Sequence, residues 1–292
     1  ELLAAFHQES TQSFFVEFEE KADLSAAYAI RDWEARGRYV WDRLVTQAEK
    51  SQGGLLTYLA DQGLAFKSIK IANAVYVKRG TRTSALHIQE MQGVDRIVPE
   101  TVHPLPKQAP AAEVHRINTV EWGIADINAD DVWSAFGTTG EGIVVANIDT
   151  GVLYDHAALV NPYRGNLGGG SFDHNYNWWD PSSVCGSPST APCDNNDHGT
   201  HTMGTMVGGD GAGNRIGVAP GAAWIACKGC ESDSCSDAAL LECADFMLAP
   251  WDLNRENPDP ARRPHIVNNS WGGGGGDTWY QSKVDAWRAG VH

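Results

Sequence analysis

Long apolar runs are missing from this sequence. None approaches the roughly 18 residues that a helix needs to cross a bilayer, so no membrane span is expected. Positive charge is also scarce. The 22 Lys and Arg stand against 37 Asp and Glu, a formal net charge of −15. Binding phosphate needs clustered basic side chains, so a nucleic-acid partner is not expected. The chain opens at Glu1 instead of Met, and Glu1–Ser10 has neither the basic start nor the apolar core of a signal peptide. The expectation is that a leader was removed or that the chain was trimmed.

Cysteine is absent before Cys185. The six that follow are Cys185, Cys193, Cys227, Cys230, Cys235 and Cys243. An even number in loop-rich sequence favours disulfides and an oxidising, extracellular compartment. Cys227 and Cys230 also have the C-x-x-C spacing of a zinc pair. A structural zinc, however, usually organises a small domain with little other core. This chain has 292 residues, 42% of them hydrophobic, so disulfides are the expected state. Nothing in the pattern signals oligomerisation, and a monomer is expected.

The first hundred residues read as a small α+β unit. Ser13–Glu19 is an aromatic and β-branched strand run. A helix is expected from Asp23, broken or ended near Gly53-Gly54, then strands over 66–71 and 75–78, a helix over 83–91 and a strand over 94–98. The order β-α-β-β-α-β is ferredoxin-like. Pro99, Pro104, Pro106 and Pro110 mark an extended linker. Beyond it, strands at 142–148, 222–228 and 265–269 alternate with helices at 201–207, 237–248 and 277–288. Such alternation predicts an α/β domain with a doubly wound parallel sheet. Gly272–Gly276 is the one low-complexity tract.

Three motifs carry candidate chemistry. Asp149-Thr150-Gly151 ends an apolar strand, where open parallel sheets collect functional groups. Taken alone it would be an ordinary turn. His198-Gly199-Thr200-His201 opens a helix of small residues. With no acidic third ligand and no H-E-x-x-H pattern, it does not read as a metal site. Asn268-Asn269-Ser270-Trp271-Gly272 ends a buried strand and runs into glycine.

Together and in this order, D-T-G, H-G-T-H-x-x-G and N-N-S-W-G resemble the subtilisin-like (subtilase) serine proteases. The VEWGIA stretch at Val120–Ala125 resembles the start of a mature subtilase. The CKGCESDSC run and HIVNNSWGG look closest to the bacillopeptidase F-like branch. The resemblance implies a secreted endopeptidase zymogen acting on polypeptides through an Asp-His-Ser triad. In it, residues 1–100 would be an inhibitory propeptide, 101–112 a linker with the maturation cut, and 113–292 the N-terminal part of a catalytic domain. Asp149 would be the triad carboxylate and His198 the general base, because a serine hydroxyl needs an imidazole to take its proton. Ser270, Trp271 and Gly272 would form a backbone rail for extended substrate, Trp271 walling the channel and Gly272 opening the first pocket. His201 would have a packing role.

Two departures from the family pattern stand out. No G-T-S-M-A segment with the nucleophile occurs, and no A-G-N segment follows Gly272, so this chain alone is expected to be inactive. The usual acidic calcium ligand is matched by Ala158. Calcium elsewhere would have to use Asp194, Asn195, Asn196 and Asp197, whose other reading is a solvated loop. No other cofactor is implied. The insertion 160–196 is expected to form a wall of the substrate cleft, and Glu231, Asp233 and Asp237 either to favour basic substrates or to form a solvated acidic loop. Competing readings are a truncated, non-catalytic protease-binding or inhibitory protein and a metal-binding module built on the cysteines.

Overall fold

The computed structural model describes residues 2–105, 120–211, 213–272 and 281–291. The linker beyond Leu105, the glycine tract beyond Gly272 and the start of the last expected helix lie outside the described residues. The chain divides into two compact units, 1–102 with 236–249 and 274–292, and 103–235 with 250–273.

In the first unit the βαββαβ order is present. Strands Thr11–Phe18, Ala65–Ile69, Ala74–Thr81 and Val94–Pro99 form one antiparallel sheet, ordered fourth, first, third, second across space. The two-residue period of a strand sends alternate side chains to opposite faces. Phe14, Val16 and Phe18 therefore join one apolar cluster with Leu55, Leu59 and Ile88, and Phe15 joins another with Trp41, Tyr76 and Leu241.

The expected break at Gly53-Gly54 does not occur. One helix runs from Trp33 to Asp61, capped by Asp32, whose carboxylate accepts from Ala35 N at 2.8 Å, and not by Asp23. Both glycines are exposed, while Gln52, Leu55 and Leu59 around them are buried. Glycine costs about 1 kcal/mol relative to alanine in a helix, and each buried leucine returns about 1.5–3 kcal/mol. Packing therefore wins over local propensity.

Helices Asp237–Leu248 and Gln281–Val291 also belong to this unit, the former buried along its whole length. Leu241, Ala244, Leu248, Ala286 and Ala289 complete the Phe15 cluster, so the sheet is covered on both faces. Asp245 accepts from the backbone amides of Lys70 (2.8 Å) and Ile71 (2.7 Å), and Glu242 pairs with Lys67 at 2.5 Å. Asp237 is buried against the Thr101 backbone, which removes it from the acidic residues expected to meet substrate.

The second unit is built on a parallel sheet of four strands, ordered Ile266–Asn268, Val144–Asp149, Ala223–Lys228, Trp178–Trp179. Register sets Asn268 beside Asn147 and Lys228 beside Asp149, so the strands deliver their C-terminal ends to one edge. Val145, Trp178, Met203, Val207 and Trp224 form the core beneath the helix His198–Val207. His201 is exposed, and Met203 and Val207 fill the packing face instead. The insertion 160–196 is more regular than expected. Trp178–Trp179 extends the sheet, Tyr163 and Phe172 pack around His174, and a Cys185–Cys193 disulfide closes its end. A Cys230–Cys235 disulfide is also present; Cys227 and Cys243 are disulfide-bonded too.

Two substitutions probe these arrangements. Asp245→Ala leaves the amides of Lys70 and Ile71 without their acceptor and should cost about 1–3 kcal/mol in urea unfolding. An unchanged midpoint would contradict that. In the second unit, His265 Nδ1 accepts from Val144 N at 3.0 Å, and burial together with Arg263 lowers its pKa. A lowered histidine gives stability that is complete above its unfolded pKa of about 6.5 and is lost as pH falls through the folded value. Wild-type stability should therefore decline more steeply below about pH 6.5 than that of His265→Asn. Parallel pH curves for the two chains would refute it.

Candidate active site

The strand Val144–Asp149 ends with its last carboxylate fully buried. Asp149 Oδ1 lies 2.7 Å from His198 Nδ1 and accepts from Thr150 N at 2.7 Å, and Oδ2 accepts from Thr202 Oγ1 at 3.1 Å. Burial pushes the Asp149 carboxyl up from its ordinary value, while the hydrogen bonds from His198, Thr150 and Thr202 pull it back. The His198 side chain keeps 12% of its surface accessible, against none for Asp149. The carboxylate end of the pair is thus dry, while the imidazole keeps limited access to solvent.

Two glycines let the pieces close. A Cβ at Gly199 would collide with the Gly151 carbonyl oxygen and stand 3.2 Å from Asp149 Cβ. Gly151 itself has φ +97°, and a Cβ there would strike the carbonyl oxygen of Cys193. Only glycine combines that dihedral with so close a backbone approach.

Asp194 organises the entry to the His198 helix. Its Oδ1 accepts from Thr150 Oγ1 (2.8 Å), Asn196 N (3.1 Å) and Asp197 N (3.0 Å). Its Oδ2 accepts from Thr200 N (2.9 Å) and Thr200 Oγ1 (2.6 Å). Asn195 Oδ1 accepts from Lys228 Nζ at 2.7 Å. The Asp194 carboxylate oxygens and Asn195 Oδ1 are thus committed to protein donors. Ala158 is buried and offers only a carbonyl, which accepts from Gly209 N. Among the described residues, no three His, Cys, Asp or Glu side chains gather as metal ligands.

Ser270, Trp271 and Gly272 leave the strand Ile266–Asn268 at the same sheet edge as Asp149. Trp271 Nε1 donates to Ile148 O at 2.8 Å, tying this segment to the neighbouring strand, and Ser270 Oγ accepts from Asn268 Nδ2 at 2.8 Å. Gly272 is exposed, with open space where a side chain would stand. Leu105 N donates to Asp233 O at 2.8 Å.

Sequence reasoning singled out Asp149, His198 and Ser270–Gly272 but missed Thr150, Thr202 and Lys228. Thr202 was detectable, because a residue four beyond His198 shares its helix face. The others act through contacts with residues distant in sequence that no spacing rule reports.

The parallel α/β sheet thus holds a buried carboxylate against a histidine at its C-terminal edge. The chain belongs to the subtilase family: that family's model matches residues 140–291. It is 39% identical over 282 residues to Bacillopeptidase F of Bacillus subtilis (strain 168), covering 91% of this chain and 19% of that protein. It is 40% identical over 101 residues to the minor extracellular protease Vpr of the same organism, covering 34% of this chain and 11% of that one. Among solved structures, fervidolysin from Fervidobacterium pennivorans, a keratinolytic enzyme related to subtilisin, matches with a TM-score of 0.51 at 15% identity, over 96% of this chain and 38% of its own. The epidermin leader peptide processing serine protease of Staphylococcus aureus, as its S393A mutant, matches with a TM-score of 0.54 at 14% identity, over 97% and 57%. These two likenesses concern the fold. The chain spans about a fifth of the length of Bacillopeptidase F.

Gly199→Ala should cost at least about 1–3 kcal/mol, since the backbone of residue 151 and the Asp149 strand end cannot both give way. Wild-type thermal stability in that variant would refute the close-packing account.

Proposed function

We propose that this chain carries the propeptide and the aspartate–histidine part of a secreted serine endopeptidase that hydrolyses polypeptides. The observation that carries the reading is the 2.7 Å contact between Asp149 Oδ1 and His198 Nδ1. With Nδ1 held by the carboxylate, Nε2 is the nitrogen left to take a proton from a serine hydroxyl as it attacks the scissile carbonyl. The carboxylate then stabilises the imidazolium, and the imidazolium returns the proton to the leaving amine. The serine has no family-type segment in these 292 residues, so the chain by itself is proposed to be inactive.

Ser270, Trp271 and Gly272 are proposed to receive substrate as an added strand. Support comes from their position at the Asp149 edge and from the open space at Gly272. Residues 1–100 are proposed as an intramolecular inhibitor, followed by a linker at 101–112 and the catalytic part from 113. A tethered inhibitor acts at high effective concentration. The pairing of Leu105 with Asp233 supports this, because it sets the tail of that region as an extended strand. Secretion is supported by the disulfides and by likeness to a protease named extracellular.

The test is peptide hydrolysis by a longer chain in which residues 1–292 continue into a catalytic-domain part that supplies both the A-G-N and the Gly-Thr-Ser-Met-Ala segments. Hydrolysis should fall about 10⁴-fold on Asp149→Asn, the loss such a substitution causes in a serine-protease triad. Cutting the linker at 101–112 and separating residues 1–100 should raise hydrolysis, and adding that segment back should suppress it. Hydrolysis insensitive to Asp149→Asn would sink the triad assignment, and hydrolysis by the 292-residue chain alone would sink its proposed inactivity.

A further inference from the structure

Lys228 is the last residue of the strand Ala223–Lys228 and stands in register with Asp149 on the adjacent parallel strand. Its side chain is fully buried. Burying an ammonium costs several kcal/mol unless donors and acceptors are arranged for it. Here Nζ donates to the Thr150 carbonyl and to Asn195 Oδ1. Four carboxylates face it at longer range, one from each piece of chain around it. They are Asp149 on the neighbouring strand, Asp180 after the Trp178–Trp179 strand, Asp194 before the His198 helix and Glu231 after its own strand.

Its two acceptors lie on the two segments that the proposed catalysis must hold together. Thr150 is the residue after Asp149; it donates its N–H to the Asp149 carboxylate and its hydroxyl to Asp194, and its hydroxyl accepts from Gly199 N at 2.8 Å. Asn195 lies in the loop just before His198 and donates to Glu231 O at 3.0 Å. A single ammonium thus ties the turn that carries the carboxylate to the loop that launches the histidine helix, and no other described cation bonds both.

We propose that Lys228 is a positioning residue for the Asp149–His198 pair, locking the turn after Asp149 to the loop before His198 from beneath the site. Its ammonium bonds to Thr150 and Asn195, not to the imidazole, and it acts through those two residues. The inference rests on the Asp149–His198 reading made above.

The experiment uses the 292-residue chain and follows, by proton NMR with ¹⁵N-labelled histidine, the downfield signal of the His198 Nδ1 proton shared with Asp149. Lys228→Met removes the ammonium but keeps an unbranched side chain of similar length. Removing one buried charge while its carboxylate neighbours stay is destabilising, so a cooperative melt of the variant is checked first. Its Nδ1 signal should be lost to exchange or moved from the wild-type position. Asn195→Ala, which leaves only the Thr150 acceptor, should move the signal in the same direction by less. A folded Lys228→Met chain with the wild-type signal would overturn the proposal. Should Lys228→Met fail to fold, Asn195→Ala decides: an unmoved signal overturns the lock, a moved one supports it. Absence of the signal from the wild-type chain would instead overturn the pairing itself, and the lock with it.

Discussion

A carboxylate with no exposed surface is the constraint around which the second unit is organised. Water cannot solvate Asp149, so every oxygen lone pair it presents has to meet a protein donor or remain costly. Thr150, Thr202 and His198 supply those donors, from the turn that follows the strand and from one face of the helix above it. That requirement fixes where the helix must sit, and the helix can sit there only because positions 151 and 199 lack a Cβ. Solvation of one side chain thereby dictates backbone chemistry at two others.

The same demand spreads outward. Thr150 can orient its amide toward Asp149 only if its hydroxyl and carbonyl are satisfied elsewhere. Asp194 and Gly199 take the first, and Lys228 takes the second. The Cys185–Cys193 disulfide ends one residue before Asp194, so a covalent link stands next to the acceptor that gathers five donors at the helix entry.

Much of this was legible in the amino-acid string, and what was not has a common cause. Apolar runs and turn residues disclosed both sheets, because strands such as Val144–Asp149 and Ala223–Lys228 are buried along nearly their whole length and leave a local mark. Asp149 and His198 were legible because each sits in a motif whose neighbours are themselves constrained: Thr150-Gly151 after one, Gly199-Thr200 after the other. Local reading failed where distant packing decides. Gly53-Gly54 look like a break until Leu55 and Leu59 are seen to be buried. Asp237 looks like a surface charge until Thr101 is found against it. Lys228 looks like an ordinary strand end, since its partners lie 78 and 33 residues away.

The double covering of the first unit's sheet has a consequence for how the chain is made. Phe15, Trp41 and Tyr76 reach their final surroundings only when Leu241 and Leu248 arrive, and the bond from Lys70 to Asp245 spans 175 residues. At ribosomal rates of about 5–20 residues per second, the early strands wait roughly 10–35 s for the helix that will shelter them. During that interval one apolar face of the nascent sheet is bare, and whatever keeps it from sticking to other chains must act before the polypeptide is long enough to protect itself.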